Sequence, residues 1–107
     1  MAVRGPLGSN WPDFVDTAWH QFLRLPAEAQ DAMVALFPEL VLHPTRPSAT
    51  LDIVPIRNDP NRWRLKIPGY RILYQVAQGR PLVEEIEPRT GETYVRFGRY
   101  SRAHPTR

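Results

Sequence analysis

Between Arg62 and Tyr74 the chain alternates in character residue by residue, and the alternation is broken once, at Pro68-Gly69. A period of two belongs to a strand, so the stretch reads as two antiparallel strands joined by a two-residue turn. Pairing in register across that turn sets Ile67 opposite Tyr70, Lys66 opposite Arg71, Leu65 opposite Ile72 and Arg64 opposite Leu73. Arg64, Lys66 and Arg71 then share one face, and aliphatic and aromatic side chains share the other. Like charges facing each other across a sheet repel. The cationic face is therefore either the solvated outer side of a half-buried sheet or a surface used on an anion, and both readings stand at this point.

A chain of 107 residues has room for one domain and one core. Three Trp, four Tyr and four Phe supply bulky anchors for it. Cysteine is absent, which excludes disulfides, thiolate metal sites and Cys nucleophiles. His20, His43 and His104 lie far apart, without the spacing of a helical metal pair, so no metal and no cofactor is expected. No apolar run approaches the roughly 18 residues that cross a bilayer, and the N-terminus carries no apolar leader. The expectation is a cytoplasmic protein that makes no membrane contact.

Charge is divided unevenly along the chain. Residues 1–56 hold three arginines against six carboxylates, whereas residues 57–107 hold ten arginines and Lys66 against five. A basic half of this kind suggests a polyanionic partner, with phosphate the leading candidate.

Residues 1–12 read as a flexible lead, residues 13–97 as a single domain and residues 98–107 as a basic tail. Pro12-Asp13 is expected to start a first helix whose stripe is Phe14, Ala18, Phe22 and Leu25, flanked by Val15, Trp19 and Leu23. That helix stops before Pro26, which opens a second one with Ala29, Ala32, Met33, Leu36 and Phe37 on one face, continuing through Pro38 to Leu42. His20 reads as a surface residue at the helix edge. His43 to Ser48 is a linker by composition, and Thr50–Ile56 is a strand that Pro55 marks as an edge or a bulge. Residues 57–61 form a turn, the central hairpin runs from Arg62 to Ala77, and Gln78-Gly79 turns the chain into a strand over Pro81–Glu87. Thr93–Phe97 is a short strand or a last turn. The predicted fold is α+β: an N-terminal two-helix hairpin packed on a three- to four-stranded antiparallel sheet.

The block from Trp63 to Val76, with Gly69-Tyr70-Arg71 at its centre, followed by Pro88-Arg89 and Tyr94, resembles the RelE/ParE family of bacterial toxins from toxin–antitoxin systems. The likeness covers roughly residues 13–96 and is most specific in the Gly-Tyr-Arg-x-x-Tyr segment. In the branch that cleaves mRNA on the ribosome, two basic residues before the turn, the Arg of Gly-Tyr-Arg and a later Arg and Tyr do the cutting. Matched one by one, these are Arg64 and Lys66, Arg71, Arg89 and Tyr94. The resemblance thus implies a catalytic set of Lys66, Arg71, Arg89 and Tyr94, with Arg62, Arg64, Arg96 and Arg99 contacting RNA. It implies no metal, and as partners a cognate antitoxin, forming a hetero-oligomer with the toxin, together with mRNA and the ribosome.

RNA cleavage by its own 2′-hydroxyl gives these residue types a reason. Arginine stays protonated at any accessible pH and cannot be the base, so Arg71 and Arg89 serve as electrostatic clamps on the phosphate. Lys66, crowded by Arg64 and Arg71, becomes a candidate base, and Tyr94 positions or stacks a nucleotide. Two other functions share the scaffold: a non-enzymatic toxin that inhibits DNA gyrase, and a non-toxic binding module. Glu84, Glu85 and Glu87 bear on the choice. On the cationic face they either neutralise it or supply the base, and the parity of their strand is open at this level. The strand that normally precedes the helices in this family is not evident in residues 1–12.

Overall fold

A computed structural model describes residues 3–4 and 10–89. In chain order the elements are β1 (Val3–Arg4), β2 (Asp13–Val15), α1 (Asp16–Leu23), α2 (Ala27–Leu42), β3 (Asp52–Ile56), β4 (Asp59–Ile67), β5 (Tyr70–Ala77) and β6 (Arg80–Pro88). The α+β class and the leading helix hairpin are as expected. The sheet is wider than three or four strands: among the described residues six stand in the order β1-β2-β6-β5-β4-β3. It is also mixed rather than wholly antiparallel, because β2 runs parallel to β6 with Asp13 beside Leu82 and Phe14 beside Val83.

The first helix starts later than expected. Asp13, Phe14 and Val15 are extended, and Phe14 and Val15 are buried. Their apolar character fits the stripe of Ala18 and Phe22 as well as it fits a strand, so periodicity absorbed them into the helix. They form a short strand ahead of the helices. Arg80 pins this segment to the start of β6, donating from Nε to Asp13 Oδ2 at 3.2 Å and from one terminal nitrogen to the Trp11 carbonyl at 2.5 Å. Pro12 is fully buried, Trp11 packs against the core, and Val3–Arg4 pair with β2.

Helix α1 buries Ala18 and Phe22, while Leu23, expected in the stripe, is 52% exposed. Helix α2 buries Met33, Phe37 and Leu40 and carries Pro38 through its interior; Ala32, expected on the buried face, is exposed. Phe14, Phe22 and Phe37 gather around Trp11 and Trp19, and the Trp19 and Phe22 rings stack at 5.7 Å. Beneath them lie Leu51, Ile53, Leu65, Ile67, Ile72, Tyr74, Val83 and Ile86. The sheet thus has one face against the helices and one face away from them.

The central hairpin has the register read from the sequence: Ile67 pairs with Tyr70, Lys66 with Arg71, Leu65 with Ile72 and Arg64 with Leu73. Proline cannot take the positive φ that the first position of a mirror-image turn requires, whereas Gly69 sits at φ 82°, the arrangement of a type II turn. Strand β4 begins at Asp59, so three of the five residues expected to form a turn belong to the strand. Strand β3 is the edge, as Pro55 indicated, and its register shifts between Pro55 and Ile56.

Candidate functional site

Side chains of a strand alternate between faces. With Leu65, Ile67, Ile72 and Tyr74 in the core, Arg64, Lys66, Arg71 and Leu73 lie on the helix-free face. Cross-strand pairing extends this face in both directions. One row reads Asp52, Lys66, Arg71, Glu87 across β3, β4, β5 and β6; the next reads Val54, Arg64, Leu73, Glu85.

The parity left open by the sequence is settled by a bulge. Leu73 pairs with Glu85 but Tyr74 pairs with Val83, so Glu84 is an extra residue on β6. The insertion lets Val83 enter the core while Glu84 also turns to the charged side, where it accepts hydrogen bonds from Arg62 Nε at 2.7 Å and Gln75 Nε2 at 2.6 Å. Glu84, Glu85 and Glu87 therefore all share the face of the cations.

Each candidate residue meets different surroundings. Arg62 is clamped by Glu84 and, at 3.0 Å, by Asp59; these partners, Glu84 foremost, hold its guanidinium more firmly charged than usual. Arg64 is half-buried. Lys66 Nζ lies 3.7 Å from Asp52 Oδ2, so a carboxylate stands beside it as well as the neighbouring cations of its face. Arg71 is 5% exposed, and Glu87, its cross-strand neighbour, 3%. Arg89 is exposed just beyond β6, and its backbone N–H donates to the Gly69 carbonyl at 2.8 Å, which continues the register one step past Tyr70 and Pro88. By strand parity Arg89 follows Glu85 and Glu87 onto the charged face, at the end where the Pro68-Gly69 turn closes the hairpin. Lys66, Arg71 and Arg89 are thereby brought to one end of the face, with Glu87 among them; Arg62 and Arg64 lie farther along it. Tyr94, Arg96 and Arg99 lie outside the described residues, as do Thr93–Phe97 and the tail over residues 98–107.

Two residues that sequence reasoning left without a role hold the site in place. Tyr74 is fully buried, and its hydroxyl donates to the Pro44 carbonyl at 2.6 Å, tying the segment after α2 to the middle of the sheet; burial pushes its phenol well above the ordinary value. Gln21 of α1 accepts the Ile86 N–H at 2.7 Å, satisfying β6 beyond the short stretch that β2 covers. Only the tyrosine carried a signal, as the last residue of Gly-Tyr-Arg-x-x-Tyr. His20 is exposed, as expected, and its Nδ1 bonds the Asp16 carbonyl at 3.0 Å. Among the described residues no His, Asp and Glu cluster could hold a metal ion, and no helix is long and apolar enough to cross a membrane.

No protein-family model matches the chain, and no curated protein does. Solved structures do. A chain of the RelB–RelE antitoxin–toxin complex from Methanococcus jannaschii superposes with a TM-score of 0.61 at 18% identity, over 71% of this chain and 88% of that one. A chain of the toxin–antitoxin complex RelBE2 from Mycobacterium tuberculosis gives 0.55 at 24% identity, over 71% and 93%. The fold is RelE-like.

Proposed function

We propose that this protein is the toxin of a toxin–antitoxin pair and that it cleaves mRNA on the ribosome, with a cognate antitoxin holding it inactive. The observation that carries the reading is the gathering of Lys66, Arg71 and Arg89 at the turn end of the helix-free face. Attack by a 2′-hydroxyl on the adjacent phosphorus passes through a dianionic five-coordinate phosphate. Fixed cations around that charge lower the barrier, and each preorganised donor is worth about 10²–10³ in rate. Arg71 and Arg89 are assigned this role. Lys66, held beside Asp52, serves as a third phosphate contact. The 2′-hydroxyl proton passes to solvent as the bond from the 2′-oxygen to phosphorus forms, and the departing 5′-oxygen takes a proton from solvent as its bond to phosphorus breaks, leaving a 2′,3′-cyclic phosphate. Tyr94 enters through the sequence resemblance alone, as a group that stacks on a nucleotide.

The test is expression from a tightly controlled promoter, with RNA ends mapped. Growth should arrest with new mRNA ends, and Arg89→Ala, a change at an exposed position, should lower cleavage about 100-fold or more without loss of folded protein. Arrest without new ends, unchanged by Arg71→Ala or Arg89→Ala, would sink the nuclease reading.

A second reading draws on a specific feature, the carboxylates of Asp52, Glu84, Glu85 and Glu87 interleaved with the cations. A face so neutralised suits a toxin that binds a protein such as DNA gyrase, or a binding module without toxicity. Inhibition of supercoiling by the purified protein, with intact mRNA, would select the former; harmless expression of the wild type would select the latter.

A further inference from the structure

Glu87 is a residue of this face that the phosphate reading does not use. It stands directly opposite Arg71, with Lys66 on the far side of Arg71 in the same row. Direct opposition puts the Arg71 and Glu87 Cβ atoms about 5 Å apart, within reach for an ion pair. Arg89 lies two residues further along the strand on the same face. A carboxylate thus sits among the three cations assigned to the scissile phosphate, and with Arg71 it is the charged residue buried most deeply among those described. A buried arginine needs a counter-charge, because an uncompensated one is costly to keep out of water. An RNA phosphate can meet that need, and so can a carboxylate, since both offer paired oxygens to the guanidinium fork.

We infer that the Glu87 carboxylate is the resident anion of the phosphate site: it and an incoming phosphodiester compete for Arg71, so Glu87 sets how tightly this face holds RNA. The inference rests on the reading of the face as a phosphate site, and it does not require cleavage. It separates Glu87 from its neighbours. Glu85 faces Leu73 and Glu84 is engaged by Arg62 and Gln75, so neither stands against Arg71.

The test is binding, at several salt concentrations, of the full chain to a short single-stranded RNA whose 2′-hydroxyls are methylated and which cannot be cut. Glu87→Gln is expected to bind at least tenfold more tightly than wild type. The log–log salt dependence should steepen by about 0.7, the signature of one more phosphate contact on a single strand. Glu85→Gln removes the same charge from the same face and should change affinity less than threefold. Inorganic pyrophosphate should raise the melting temperature of Glu87→Gln more than that of wild type, which a merely structural role for Glu87 would not produce. If Glu87→Gln does not fold, Glu87→Asp, which withdraws the carboxylate by one methylene, should show an intermediate gain of about threefold. Binding by folded Glu87→Gln no tighter than wild type, or matched by Glu85→Gln, overturns the inference. Tighter binding by Glu87→Gln with no mRNA cleavage by either protein would leave it standing and remove the nuclease reading alone.

Discussion

Strands β4 and β5 present two faces written by the same alternation, and different physics holds each. On the helix side, Leu65, Ile67, Ile72 and Tyr74 are almost fully removed from water. Their contribution depends on area and packing, so each side chain counts whatever its exact partner. On the other side, Arg62, Lys66 and Arg71 count only through the groups beside them, and apart from Asp59 on β4 itself those partners arrive on β3 and β6 from elsewhere in the chain. An apolar face can therefore be read from one strand, whereas a charged face can be read only from the assembled sheet.

Substitutions can break or sharpen this contrast. The largest stability loss should come from the apolar side: Phe37→Ala, at a side chain 1% exposed, should cost about 3–5 kcal/mol in urea unfolding with an unchanged m-value. A loss below about 1 kcal/mol would mean that the helix layer is not packed on the sheet as described. Tyr74→Phe keeps the ring and deletes only the hydroxyl that meets the Pro44 carbonyl, so about 1–2 kcal/mol is expected. On the charged side, Arg62→Ala removes bonds to both Glu84 and Asp59, yet its side chain is 45% exposed and the loss should stay below about 1 kcal/mol. A larger loss would show that the outer face is a structural element in its own right.

The smallest effect should show in the acid limb of the stability profile. Hydroxyl hydrogen bonds from Ser48 and then Thr50 hold the exposed Glu39 carboxyl below its ordinary value of about 4.5. A depressed folded value contributes stability that is present above the unfolded pKa and is lost as pH falls through the folded one. Glu39→Gln should therefore lower the melting temperature slightly near neutrality and flatten its fall below about pH 4.5. An unchanged acid limb would show that these bonds do not bear on stability.

The same contrast explains what was legible in the sequence. The hairpin register followed from alternation and one turn, and all four expected pairs are present. The helix hairpin followed from its apolar stripes and Pro26. Phe14 and Val15 were misassigned because three residues are too few to distinguish a period of two from a period of 3.6, and their strand character comes from pairing across the fold, Phe14 with Val83 and Val15 with Val3. The charge of the candidate site was half legible: its cations other than Arg89 lie on one hairpin, but its carboxylates lie largely on the flanking strands, and the parity of β6 turns on a bulge that no local pattern announces. Arg89 was found through resemblance, and its place on the face comes from a backbone bond to Gly69.

The bulge at Glu84 has a further consequence, for how such a protein diverges. Because the extra residue is accommodated between two correctly paired segments, gain or loss of a single codon there alters the charge of the outer surface by one unit. Tyr74 still meets Val83 and Arg71 still meets Glu87. Lineages carrying this sheet therefore have a route by which one short insertion or deletion retunes the surface facing a partner while the interior is inherited intact.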